Sequence, residues 1–243
     1  WVYCSKKLKE FSLKEDLDSN IKWHNKSVTL SAIFIVFFAI TTSTAAWDWL
    51  MSIDAHWYST VFGWYFFAGL ATSGFTVMAL VIIYLKSKGY LPEINQNHLH
   101  DIGKFIFVCS ILWTYLWFSQ FMLIWYAHIP EEIIYFIERF KNYKFILWMT
   151  LILNFIFPIL LLMSRDCKRN YKYLVITGII VLVGHWLDYF LIVTPGVMHD
   201  HWHLGFIELG IGIGCFGLFA YFMFYRLTKV NLVVKNHPFL EES

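Results

Sequence analysis

The chain has 243 residues, of which 58% are hydrophobic, 21% aromatic and only 15% charged, with a formal net charge of +2. A globular domain of that size and composition would be insoluble, which excludes a water-soluble enzyme or binding module and makes a membrane the expected solvent. The weak net charge, with no glycine-rich phosphate loop and no nucleic-acid signature, leaves nucleic acid out as a partner.

Taken in chain order, Trp1-Val-Tyr-Cys4 reads as the end of an apolar stretch, so an upstream part with further spans is expected. Residues 1–26 then mix Lys with Glu and Asp, the composition of a solvated connector. Six long apolar stretches follow, at about 27–47, 59–85, 105–127, 145–164, 173–193 and 204–225, and the first four hold no Asp, Glu, Lys, Arg or His. About 20 apolar residues at 1.5 Å per residue cross a bilayer. Lipid demands that every backbone polar group be paired internally, and runs without period-2 alternation or turn signals read as helices. The predicted fold is all-α: a six-helix membrane domain over 27–226, with residues 227–243 as a tail.

The basic residues orient this bundle. Of the 19 Lys and Arg, sixteen fall before the first span, between spans two and three, between spans four and five, or after span six. Only Arg139, Lys141 and Lys144 fall on the other side, all in the loop between spans three and four. The positive-inside rule places both termini in the cytoplasm. Four cysteines (Cys4, Cys109, Cys167, Cys215) show no CxxC pairing. They support neither a disulfide framework nor a zinc or iron–sulfur site.

The polar residues near the opposite face are the candidates for chemistry. Asp48, Asp54 and His56 lie in the aromatic-rich loop after span one. They read either as an outward patch exchanging protons or as a short interfacial helix whose acids face water. Gln120, Trp125, Tyr126 and His128, followed by Glu131 and Glu132, mark the outer half and exit of span three. A Gln at that depth either joins helices or orients a quinone carbonyl or a water. His185 and Asp188 share one face of span five at i, i+3, with Tyr189 beside them. Asp188 is roughly 8 Å deep, where a carboxylate must face the bundle interior or water. Glu208 sits at similar depth on span six. These groups read either as a functional cluster or as a satisfied network joining two helices. The loop carrying His199, Asp200, His201 and His203 suits proton buffering better than metal binding, so no metal is assigned. One deep histidine is too few for a bis-histidine haem within this chain.

Three runs carry a resemblance: Trp47-Asp-Trp-Leu-Met-Ser-Ile-Asp-Ala-His-Trp-Tyr-Ser-Thr60, Phe118-Ser-Gln-Phe-Met-Leu-Ile-Trp-Tyr-Ala-His-Ile-Pro-Glu-Glu132 and Gly184-His-Trp-Leu-Asp-Tyr-Phe190. They resemble the NrfD/PsrC-type membrane subunits, nearest in pattern to the ActC and ActF subunits of bacterial alternative complex III. The likeness covers most of residues 10–226. His128, where ActC-like chains usually carry Asn, favours the ActF type and argues against a copied ActC-type quinone site. The resemblance implies about ten spans, of which this chain would hold the C-terminal six. It further implies a haem-free subunit of a quinol:cytochrome c oxidoreductase in the bacterial inner membrane. Haems and iron–sulfur clusters would sit in partner subunits: a multihaem cytochrome, an iron–sulfur protein and an ActC-like membrane subunit. Asp188, His185, His128, Asp48 and Asp54 are the positions carried over.

The leading expectation is a respiratory subunit, not catalytic alone, that supports quinol oxidation and moves protons outward through Asp188, His185 and Glu208. The inner half offers only Thr72, Ser73, Thr76, Thr114, Tyr115, Asn154 and Thr177, none of which holds a proton. A second expectation is direct quinone binding by Gln120, Trp125, Tyr126 and His128 around a lipid-facing pocket. A secondary transporter ranks last, because no matched pair of broken helices is visible.

Overall fold

A computed structural model of the chain describes residues 1–18, 20–199, 205–229 and 231–233. Asp200, His201 and His203, and most of the predicted tail, lie outside the described residues. Most of those described are helical, with no strand among them, and six helices are long and apolar enough to cross a membrane. The chain is a multi-pass helical membrane protein. It divides into two compact units, residues 1–41 with 203–243, and residues 42–202.

The first unit contains α1 (Val2–Leu17), the first two-thirds of α2 (Ile21–Trp49) and α10 (Phe206–Leu227). The connector expected over residues 1–26 is therefore largely helical. The reason is the spacing of its charges, since residues three and four apart share a helix face. Glu10 accepts from Lys7 at 2.8 Å and from Lys14 at 2.7 Å. Hydrogen bonds from Lys14 and Lys7 pull the Glu10 carboxyl down to about 2, and Glu10 in turn raises Lys7. At the start of α10, Glu208 Oε2 accepts the Gly205 N–H at 2.9 Å.

The second unit is built on α3 (Val61–Ser87), α4 (Gln96–Ala127), a broken fourth span and α9 (Tyr171–Met198). The fourth span runs as α6 (Lys144–Leu151), one π-helical turn (Ile152–Ile156) and α7 (Phe157–Leu162). Pro158 has no N–H to give the carbonyl of Asn154 four residues back, which lets the turn widen there. Span three begins well before its apolar run because Asn95 caps it. The Asn95 side chain accepts from Asn97 N at 2.8 Å and His98 N at 3.1 Å, while its own N–H donates to His98 Nδ1.

The buried residues of α9 recur at Leu174, Thr177, Gly178, Val181, Gly184, His185, Asp188, Leu191 and Ile192. That three-and-four spacing turns one stripe inward against α3 and α6. An aliphatic cluster of Ala79, Leu99, Ile106, Leu162 and Leu174 fills the end nearer the α3–α4 connection. The other end is aromatic, with Trp57 stacked on Tyr135 at 3.8 Å between centroids.

The connection between spans three and four, read from sequence as a loop, is the helix α5 (Pro130–Asn142). Proline at its first turn, Glu131 and Glu132 beside it, and Arg139 and Lys141 in its last turn match the helix dipole at both ends. Its buried face is Ile133, Tyr135, Phe136 and Arg139, packed on α4, α6 and α9. A short α8 (Arg165–Arg169) joins α7 to α9.

Candidate functional site

The site is assembled around Asp188, which is 4% exposed on the inward stripe of α9. Two neighbouring helices satisfy its carboxylate. Tyr65 of α3 donates its hydroxyl to Oδ1, and Trp113 of α4 donates Nε1 to Oδ2 at 3.2 Å. A carboxylate this far from water needs such donors, because an unpaired one costs several kcal/mol. The Tyr65 and Trp113 rings pack on each other, and Trp113 meets the His185 ring edge to face at 5.5 Å. His185 is thus coupled to Asp188 through Trp113. Its two ring nitrogens, and both amide atoms of Asn154, have no hydrogen-bond partner among the described residues.

Beside Asp188 lies a small cavity of about 20 Å³, lined among others by Tyr65, Gln120, Tyr135 and Arg139. Arg139 is 4% exposed, and its position corrects its reading as a loop charge. Its Nε donates to the Leu191 carbonyl at 3.1 Å, Nη1 to Tyr135 O at 2.8 Å and Nη2 to Ile192 O at 3.4 Å. Its guanidinium also stacks on the Tyr135 ring at 3.3 Å. The proline at 195 explains this placement, since it leaves the carbonyl of Leu191 without its helical donor. Burial pushes the Tyr135 hydroxyl above its ordinary value, with Arg139 opposing the shift.

The other predicted positions are spread more widely. Gln120 is buried and faces the cavity. Trp125 and Tyr126 are on the surface of α4, and His128 is its exposed left-handed C-cap, with φ of 52°. These three do not share a pocket with Gln120. Asp48, placed in a loop by the sequence reading, sits in the last turn of α2 and is exposed. Asp54 is half-buried after a single 3₁₀ turn (Met51–Ile53), and His56 is exposed. Glu208 belongs to the first unit, where it caps α10. Of the residues expected to line the inner half, Thr72, Thr76 and Thr177 are buried, yet their hydroxyls donate to carbonyls four residues back in their own helices. Ser73 and Thr114 do the same, and Tyr115 is exposed.

Tyr65, Trp113 and Arg139 were missed by sequence reasoning. Tyr65 and Trp113 look like any other aromatic in an apolar span. Arg139 had a usable signal: Ile133 and Phe136 recur at a helical spacing of three that continues onto Arg139, with Pro195 freeing a carbonyl elsewhere.

A second feature is an apolar groove of about 690 Å³ between α4 and the broken fourth span. Phe118, Phe121, Trp148 and Phe155 contribute to its wall. Trp117 borders both this groove and the polar cavity.

Fold and site together define a polytopic helical membrane protein with a buried carboxylate that accepts a donor on each oxygen, and a buried arginine beside the same cavity. The chain matches no protein-family model and no curated protein.

Proposed function

We propose that the chain is a haem-free membrane subunit of a quinol:electron-acceptor oxidoreductase of the NrfD/PsrC type, resembling the ActF subunit of alternative complex III. In this reading both termini face the bacterial cytoplasm, and Asp188 takes up and releases protons at the outer half of the bundle. One observation carries it: a carboxylate within a membrane-spanning helix is held by donors from two other helices, at the edge of a polar cavity. Intramembrane carboxylates are expensive to bury and mark proton or substrate pathways. The partners would supply the redox centres, namely a multihaem cytochrome, an iron–sulfur protein and an ActC-like membrane subunit, with quinone drawn from the bilayer. The inner-half hydroxyls are committed to their own helices, so this chain supplies the outer part of a route and a neighbour or further spans the rest. Gentle purification, mass spectrometry of co-purifying chains and a haem spectrum test the assignment. Asp188→Asn in the assembled complex should lower proton release per electron. Unchanged turnover and proton stoichiometry would remove Asp188 from the route.

A second reading is favoured by the aromatic groove between α4 and the π-helical turn. A quinone ring and tail suit an apolar cleft of this size, with Trp117 separating it from Gln120 and Arg139. Photo-crosslinking with a quinone analogue should then label Phe118 or Trp148. Labelling confined to another subunit would exclude it.

A further inference from the structure

We propose that the cavity between Asp188 and Arg139 binds one water molecule, which joins the carboxylate, the guanidinium and the Gln120 amide into a single network. The proposal deepens the reading of Asp188 as a proton-carrying group by naming what it is coupled to.

Size comes first. The cavity holds about 20 Å³, and a buried water needs about 10–15 Å³ with two to four polar partners. The room is of the order of a single water. Five polar side chains are among its lining, and four of them carry the network: Tyr65, Gln120, Arg139 and Asp188, with Tyr135 as the fifth. Each of the four has bonding capacity left. Arg139 has five N–H donors, of which three go to carbonyl oxygens. Each Asp188 oxygen accepts one donor, from Tyr65 or Trp113, and keeps a further lone pair. Gln120 is 4% exposed and its amide brings both a donor and an acceptor.

Charge then selects the occupant. A cation would meet Arg139 and an anion would meet Asp188, so a neutral dipole is the species that both charges favour. Arg139 makes no ion pair with a described residue. A buried charge without a counter-charge is costly, and a bridging water transmits the compensation across the gap at little cost in hydrogen bonding. Arg139 is thereby the counter-charge of the buried carboxylate, in addition to its bonds to α9. By contrast, the groove beyond Trp117 is apolar and offers a water nothing to bind.

Hydroxyl-radical footprinting by X-ray radiolysis, read by mass spectrometry on the chain in its native membrane, tests this directly. Radicals form from bound water in place, so side chains beside it are oxidised despite burial. Tyr65 and Phe136 line the cavity; Tyr143 and Phe62 are equally buried and do not. Oxidation of Tyr65 over Tyr143, and of Phe136 over Phe62, should be several-fold. Gln120→Leu should bring both ratios down toward one, and label exchange from H₂¹⁸O should be slow at Tyr65. Ratios near one in the unaltered chain would overturn the proposal, as would high ratios that Gln120→Leu leaves untouched. Ratios near one, with proton release still lost in Asp188→Asn, would refute the water alone. High ratios with proton release unchanged in that variant would refute the proton-carrying role alone.

Discussion

Arg139 Nε donates to the carbonyl of Leu191 at 3.1 Å, and that carbonyl lies four residues before Pro195. A helix interrupted by proline exposes an acceptor, and within a membrane no water replaces the missing donor. Here a side chain from α5 does so, which ties an extramembrane helix to the end of α9 and brings a fixed positive charge beside Asp188. Arg139→Met should destabilise the second unit by about 2 kcal/mol, the worth of a charge-assisted bond left unmade. Pro195→Ala restores an N–H to Leu191, so in the double variant about 1 kcal/mol should be recovered. Unfolding in mixed micelles reads the cycle. Strict additivity of the two changes would show that the contact does no such service.

Gly184 and Asn154 make the tightest helix contact at the π-helical turn. A β-carbon on Gly184 would collide with Asn154 Oδ1 and lie 2.9 Å from Leu153 Cβ. Gly184→Ala should therefore destabilise by about 1–3 kcal/mol, the range for overpacking. Gly69→Ala is the matched control, since its β-carbon would meet only ordinary contacts at 3.4–3.6 Å with Trp113 and His185. Thermal denaturation should separate the two variants clearly. Equal melting temperatures would contradict the packing described at the π-helical turn.

Glu10 gives a pH dependence with a defined sign. Its carboxyl is held at about 2, below the ordinary 4.5, by Lys14 and Lys7. A lowered folded-state value means its contribution to α1 is complete above about 4.5 and is lost as the pH falls toward about 2. All three side chains are substantially exposed, so salt should weaken the effect. Carboxyl-carbon NMR of Glu10 should titrate well below the ordinary value, and move up in Lys14→Gln and in high salt. A midpoint insensitive to both would rule the triad out.

The spans were legible because a run of apolar residues long enough to cross lipid has few alternatives. Lys86 and Lys104 flank such runs, and their ends could be placed to within a turn or two. The start of α4 at Gln96 was not, because its cap at Asn95 precedes a polar turn that hydropathy treats as loop. Asp188 was found because a carboxylate in such a run is conspicuous. Its partners were not, since Tyr65 and Trp113 sit among other aromatics in spans two and three. Arg139 was counted as a loop charge, and the short reach of that count hid an amphipathic helix whose basic end points inward. Gln120 and the pair Trp125–Tyr126 are five and six residues apart, yet one faces the cavity and the others the surface.

Sequence alone determined that this chain lives in a bilayer, that six of its stretches are long and apolar enough to cross it, and that Asp188 and His185 share a face. Those properties follow from solvent preference and helical period, which act within a single segment. Only the tertiary structure decided which face of each span turns inward, and so which residues meet Asp188. In water the apolar side of a helix announces its core; in lipid both sides are apolar, and the choice falls to packing and to hydrogen bonds between helices. Tyr65, Trp113 and Arg139 are known as the companions of that carboxylate through the bonds they make across helices, a relation no single segment records.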